Sequence, residues 1–316
     1  MKSVCTAWGE RVKVSNETST DATYLCKRRP FSNSQIDKLG EFYVGKRSTP
    51  PDCQEEIIAW YEWIKDETTK LVSSAVQSID ADGQGPFEAV QSGRVKTRSS
   101  IADKLNRGSR LSAMQDFAGV RFDLGATHSV LLDIAKAIEV LVKQVNAEVT
   151  IKNYLSNPQR GYRAVHVWIT SKPTGRVEIQ LRTQLQAEWA NTFEKLADLT
   201  GRRIRYEDDY RPAHPDLQSL RANLLEISDR FYNMETSLEK GYESAQNGLQ
   251  SMTATSRAIP VDPHVHRDRA KFYMHMANYE LELADTAENN NDTLKALRKL
   301  QDALTGLPIE SEQIND

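Results

Sequence analysis

Apolar positions along this chain recur with two different periods, and the switches between them mark its elements. From Asp52 to about Ser78, Ile57, Tyr61, Ile64, Leu71, Ala75 and Ile79 recur mostly at three- and four-residue steps, which paints one stripe on a helix. The run DADGQGP over residues 80–86 ends it with turn formers. Alternation then takes over: Phe117–Asp123, Glu148–Lys152, Arg163–Thr170 and Arg176–Arg182 read as strands, with Lys172-Pro173-Thr174-Gly175 as a hairpin turn. Helices are interleaved with them. Leu131, Ile134, Ile138, Leu141 and Val145 share one face between Val130 and Val145, and a further helix runs from about Gln184 to Leu199. Beyond about Asp216 nearly everything reads as helix: Leu217–Ser251, then, past a hinge at Thr253–Pro263, Arg267–Ala287 and Asp292–Leu304. The predicted organisation is an irregular N-terminal arm over residues 1–52 with one short helix near Ser34–Phe42, a sheet domain over 53–210, and a helical extension over 211–316. Strands mixed with helices in this order predict an α/β or α+β sheet.

Composition changes this picture little. With 316 residues, 39% hydrophobic, 27% charged and a formal net charge of −3, the chain is long enough for a real core and too weakly charged for gross nucleic-acid binding. The longest apolar stretch, Val130–Val142, is broken by Asp133, Lys136 and Glu139, so no membrane span is expected. The opening MKSVCTAWGERVKV lacks the apolar centre of a secretory signal. Three cysteines, Cys5, Cys26 and Cys53, form no CxxC pair, and together these features predict a cytoplasmic protein.

Local charge is more informative. Between Gln91 and Arg121 seven basic residues (Arg94, Lys96, Arg98, Lys104, Arg107, Arg110, Arg121) stand against two acids (Asp103, Asp116), a local +5 inside a net-negative chain. Guanidinium forks and ammonium charges suit a polyphosphate, and no Walker A glycine pattern accompanies them; a solvated basic face is the plainer reading. On Arg176–Arg182 the two-residue period puts Glu178, Gln180 and Arg182 on one face. A carboxylate, an amide and a guanidinium in a row make a poor core and a good catalytic floor, or else simply the wet side of an antiparallel sheet. Gly161-Tyr162-Arg163 leads to His166; Tyr162 offers a flat face for a base, whereas His166 taken singly reads as a satisfied core histidine. Asp116, ahead of the strand that carries Arg121, could cap an element or join Glu178 in holding Mg²⁺. His264 and His266 form an HxH pair with no third ligand nearby.

Taken in order, R-x-K-x-x-x-S-x-x-x-K from Arg94, D-x-x-G-x-R from Asp116, G-Y-R-x-x-H from Gly161 and V-E-I-Q-L-R-T from Val177, followed by a helix with Trp189, resemble the synthetase domain of the RelA/SpoT family over roughly residues 87–200. The resemblance implies a nucleotidyltransferase-like fold, with a mixed sheet of about five strands flanked by helices. It also implies an enzyme that moves the β,γ-pyrophosphate of ATP to the 3′-hydroxyl of GDP or GTP, releasing AMP. Carried over residue by residue, it implies that Arg94, Lys96, Ser100, Lys104 and Arg121 bind ATP and that Asp116 and Glu178 hold Mg²⁺. Glu178, with Gln180, would activate the acceptor hydroxyl; Lys152, Tyr162, His166 and Arg182 would line the acceptor. Two departures stand out. The loop Asn157-Pro158-Gln159-Arg160-Gly161-Tyr162 is one residue shorter than the family's and carries Gln159 and Arg160 instead of the usual lysine and asparagine before Gly-Tyr, which leaves the acceptor open. No His-Asp pair precedes residue 115, so a stand-alone synthetase without a hydrolase is expected. The altered loop, with Lys27-Arg28-Arg29 and Arg202-Arg203-Ile204-Arg205, motivates an alternative toxin-like member acting on tRNA 3′ ends or making adenosine alarmones. A catalytically silent scaffold is the third reading. The C-terminal helices are expected to mediate self-association or bind a regulator.

Overall fold

The computed structural model describes residues 3–5, 11–13, 22–79, 88–205, 207, 215–256 and 292–305. Contacts divide the chain into two units: Met1–Asn157 with Ala164–Gln184, and Pro158–Arg163 with Leu185–Asp316.

The first unit is built on a five-stranded mixed sheet of β3 (Ala89–Val95), β4 (Ala118–Leu124), β5 (Glu148–Asn153), β6 (Val165–Ser171) and β7 (Gly175–Thr183), in the order β3-β4-β7-β6-β5. Only β4 and β7 run parallel; the other pairings are antiparallel. This is the mixed sheet of about five strands that the resemblance implies; alternation by itself marks four of them. Its apolar face carries Val120, Phe122, Val165, Val167, Ile169, Val177, Ile179 and Leu181, all buried. Two helices pack on these strands: α2 (Gln54–Ile79), against β3, β4 and β7, and α4 (His128–Gln144), against β5, β6 and β7. The predicted stripe of α2 is the one it buries, from Ile57 and Tyr61 through Ile64 and Leu71 to Ile79. Thr127 caps α4, its side chain accepting the amide of Val130, so the helix starts two residues before the apolar run begins.

Three elements differ from expectation. β3 escapes the alternation test because nearly all its side chains are exposed, so no hydrophobic period marks it. α3 (Arg98–Asn106) lies inside the basic cluster and buries only Ile101; its start is set by the Thr97 side chain, which accepts the Ser100 amide. The predicted strand Arg163–Thr170 begins only at Val165, because Arg163 belongs to the other unit. The region read as an irregular arm holds a short β1 (Ser3–Cys5) and β2 (Arg11–Lys13) pair, a 3-10 turn at Ala22–Cys26 and α1 (Asn33–Tyr43). Tyr24, Leu25, Phe31, Ile36 and Leu39 are buried there. The Thr174 hydroxyl of the β6–β7 turn lies 2.7 Å from both the Leu25 and the Lys27 carbonyl oxygens, which share its single proton, and the Arg29 amide donates to Pro173 O at 3.0 Å.

The second unit is helical. It comprises α5 (Gln184–Thr200, of which Leu185 onward belongs here), α6 (Pro215–Ser256) and α7 (292–305), around Trp189, Phe193, Leu196, Ile204, Leu224, Phe231, Leu297 and Leu304. The predicted helix Arg267–Ala287 and the His264/His266 pair lie outside the described residues. Among the described residues, no helix is long and apolar enough to cross a membrane.

Candidate active site

Register brings the chemistry-bearing residues of unit one onto the face of the sheet opposite α2 and α4. One cross-strand row reads Arg94, Gly119, Glu178, Trp168, Thr150; the next reads Ser92, Arg121, Gln180, His166, Lys152. Residues aligned across neighbouring strands stand a few ångströms apart on the same face. Gly119 places no side chain between Arg94 and Glu178, and an added Cβ there would find nothing nearer than the Arg94 carbonyl at 3.9 Å.

Glu178 is the centre of this floor. It is only 8% exposed. Its Oε1 accepts from the Trp168 indole at 2.9 Å and lies 3.1 Å from His166 Nδ1, while its Oε2 accepts from Gln180 Nε2 at 2.8 Å. Burial pushes the carboxyl upward and the charge of Asp116 adds to that, but the hydrogen bonds and charge of His166, with the Gln180 amide, prevail and hold it below the usual carboxylate value. Glu178 is therefore an anion kept in place by three donors. Gln180 continues the chain of contacts, its Oε1 3.4 Å from Arg121 Nε. His166 is satisfied twice over, since Tyr154 also meets its ring edge-on with centroids 5.1 Å apart.

Asp116 sits at the head of β4. Lys96 Nζ lies 2.5 Å from its Oδ2 and Lys104 Nζ 2.7 Å from its Oδ1. Burial raises this carboxyl, and the two ammonium groups more than reverse that, leaving it lowered. Asp116 is thus no helix cap: it gathers two of the predicted phosphate-binding lysines. The preceding residue fixes its approach. Gln115 Nε2 donates to the carbonyls of Ile169 and Val177 at 2.9 and 2.8 Å, tying this segment to β6 and β7.

The remaining predicted residues divide. Arg94 is exposed on β3. Ser100, in the first turn of α3, accepts from the Thr97 hydroxyl at 3.0 Å. Arg98 leaves the cluster to lie over the rings of Phe42 and Tyr43, 4.8 and 5.5 Å from their centroids. Lys152 is exposed and stands 5.5 Å from the Trp168 ring centre. Arg182 is 1% exposed and forks onto Asp123 through Nε and Nη2 at 2.8 and 2.9 Å. Its pairing makes it a framework for the floor. Tyr162 belongs to unit two, where it packs partly buried against the helical core. Trp168, Asp123 and Gln115 were missed from sequence. The first two were within reach, lying two residues from His166 and Arg121 on the same strand faces; Gln115 carries no local signal.

Asp116 and Glu178 are close enough for the charge of one to act on the other, and among the described residues no group of three or more His, Cys, Asp or Glu gathers. Two carboxylates suit Mg²⁺, which fills its other positions with phosphate oxygens and water, better than a zinc site ligated by protein alone.

Residues 93–197 match the family model described as the region found in RelA/SpoT proteins. Uncharacterized proteins from Mycobacterium tuberculosis and Mycobacterium bovis are 34% identical over 192 residues, which is 58% of this chain and 65% of each relative. The match therefore spans just under two thirds of those relatives. Among solved structures, the small alarmone synthetase 2 from Bacillus subtilis is similar at 21% identity and TM-score 0.48, over 61% of this chain and 100% of that one. The small alarmone synthetase 1 from the same organism, bound to its product pppGpp, is similar at 22% identity and TM-score 0.45, over 63% and 100%.

Proposed function

This chain carries, over residues 93–197, the region found in RelA/SpoT proteins, and from that premise we propose that it is an ATP-dependent pyrophosphokinase that makes (p)ppGpp from GDP or GTP. The observation that carries this reading is Glu178, held as an anion by Trp168, His166 and Gln180 beside a row with Arg121. In the reaction the acceptor 3′-hydroxyl oxygen attacks the β-phosphorus of ATP. The bond from that phosphorus to the α-bridging oxygen breaks, AMP leaves, and the hydroxyl proton passes to the Glu178 carboxylate. Such in-line transfer needs mainly positioning and charge neutralisation. Arg94, exposed across the gap above Gly119, and Arg121 are cations offered to the phosphates from β3 and β4, on one side of Glu178. Lys96 and Lys104 exchange Asp116 for phosphate oxygens as the polyphosphate arrives, so their charges stay compensated. Bound at Asp116 and Glu178, Mg²⁺ would supply positive charge at the β- and γ-phosphoryl oxygens. Lys152 and His166 line the acceptor's phosphate side, and stacking on the acceptor base is assigned to Tyr162 by the family resemblance of Gly161-Tyr162-Arg163. Arg182 supports that side through Asp123.

The test is incubation with γ-³²P-labelled ATP and Mg²⁺ with GMP, GDP, GTP or bulk tRNA in separate tubes, beside Glu178→Gln. The expected outcome is label on GDP or GTP, absent from the variant. Label on tRNA alone moves the protein to the tRNA-modifying reading that its Gln159-Arg160 loop motivates. No label and no AMP in any tube sinks the proposal.

A further inference from the structure

Residues Pro158–Arg163 interrupt the sheet unit in sequence but belong by contact to the helical one. Within them the chain closes a two-residue turn. The Gln159 amide donates to Tyr162 O at 3.1 Å and the Tyr162 amide returns to Gln159 O at 3.0 Å. Arg160 and Gly161 between them take φ of 53° and 81°. Left-handed backbone at both central positions is what this tight hairpin turn demands, and it is unfavourable for a residue such as arginine. Something outside the turn must hold it.

That support comes from one stripe of α6, together with Trp189 of α5 and the Arg160 guanidinium, whose Nη1 donates to Arg205 O at 3.4 Å. Leu225, Ser228, Asp229 and Tyr232 recur at i, i+3, i+4 and i+7, so they face one side of the helix. A Cβ on Gly161 would lie 2.6 Å from the Trp189 ring and 3.0 Å from Leu225, so this glycine packs with no room to spare. Its carbonyl accepts from the fully buried Ser228 hydroxyl. On the other side of Tyr162, the buried Arg163 reaches Asp229 Oδ1 at 2.6 Å and stands 4.3 Å over the Tyr232 ring centre. Trp189 is itself pinned, its indole donating to the Leu224 carbonyl of α6. Tyr162 is therefore bracketed, with both neighbours in the chain fastened to the same helix.

We propose that the α6 stripe Leu225–Ser228–Asp229–Tyr232 is a positioning device that fixes the turn carrying Tyr162, and so sets affinity for the acceptor nucleotide without touching it. This rests on the stacking role of Tyr162 in the proposed function. The effect is expected on the acceptor only, because the contacts of the stripe named above are all to Gly161 and Arg163 of the turn.

The test uses the full chain with Ser228→Ala, Asp229→Asn, Tyr232→Ala and Tyr232→Phe. Acceptor KM, ATP KM and kcat are read together with hydrogen exchange at the Gln159 and Tyr162 amides. Base–aromatic stacking accounts for about five- to a hundredfold in affinity, so loosening it in Asp229→Asn and Tyr232→Ala is expected to raise the acceptor KM about tenfold. ATP KM should stay within about twofold, while exchange at both amides speeds up. Tyr232→Phe keeps the ring beneath Arg163 and should match the parent. Ser228→Ala removes a single hydroxyl and gives a mild variant should Tyr232→Ala fold poorly; it should shift in the same direction. An unchanged acceptor KM in active variants, or an equal rise for both substrates, overturns the proposal. If the parent makes no product from any acceptor, the proposed function fails instead. Exchange then decides the clamp by itself, and amides indifferent to all four substitutions overturn it.

Discussion

Glu178 shows how three neighbours decide one residue's chemistry. A buried carboxylate would ordinarily take up a proton, because its charge has lost water. Trp168, His166 and Gln180 replace that water with three aimed donors, and the carboxyl ends below its ordinary value of 4.5. The sign of the resulting pH dependence follows. A carboxyl with a lowered folded-state pKa adds stability that is fully present above its unfolded value and is lost as pH falls through the folded one. Between pH 7 and about 5 the Glu178 contribution is therefore expected to stay constant, and to fade only in more acid solution. Thermal melting of the parent against Glu178→Gln checks this: the parent should lose the more stability on acidification below about pH 4.5. A parent and variant that shift in parallel would show that Glu178 carries no such linkage. Glu178 and Gln180 were legible because a strand alternates; that Glu178 would be ionised was not, since Trp168 and His166 reach it from β6.

At the scale of the element, the Arg182–Asp123 pair joins β7 to its parallel neighbour β4, one cross-strand row beyond Arg121 and Gln180. Both charges are largely removed from water, so losing one strands the other. Asp123→Asn is expected to cost about 3–5 kcal/mol of stability, the usual penalty for breaking a buried pair. Chemical denaturation measures it; a loss below about 1 kcal/mol would mark the pair as effectively solvated. The elements themselves were unevenly legible. α2, α4 and β4 bury one face each, and β7 alternates an apolar face with a polar one, which is what imposes a period. β3 buries almost nothing, so its seven residues show no pattern and its existence depends on pairing with β4. α3 hides for a related reason: a short helix with one buried residue looks in sequence like a run of charges.

At the scale of the molecule, the net charge of −3 coexists with the +5 stretch from Gln91 to Arg121, so the positive charge is concentrated locally. The ATP KM should rise several-fold between about 50 and 500 mM salt, as screening shortens to a few ångströms. Steady-state rates at the two salt concentrations test this, and an ATP KM indifferent to salt would remove the basic stretch from the binding site. The sequence by itself determined the class of the sheet, the helical character of the described C-terminal part and the grouping of Glu178 and Gln180 on one strand face, because each is written in local period or in a short ordered motif. Tertiary structure alone decided which charges meet. Lys96 and Lys104 close on Asp116, Arg98 departs to the aromatic rings of α1, Arg182 is consumed by Asp123, and the turn bearing Tyr162 is handed to α6. Those choices depend on groups from 12 to 66 residues apart, brought together only when the strands take their register and the helices pack.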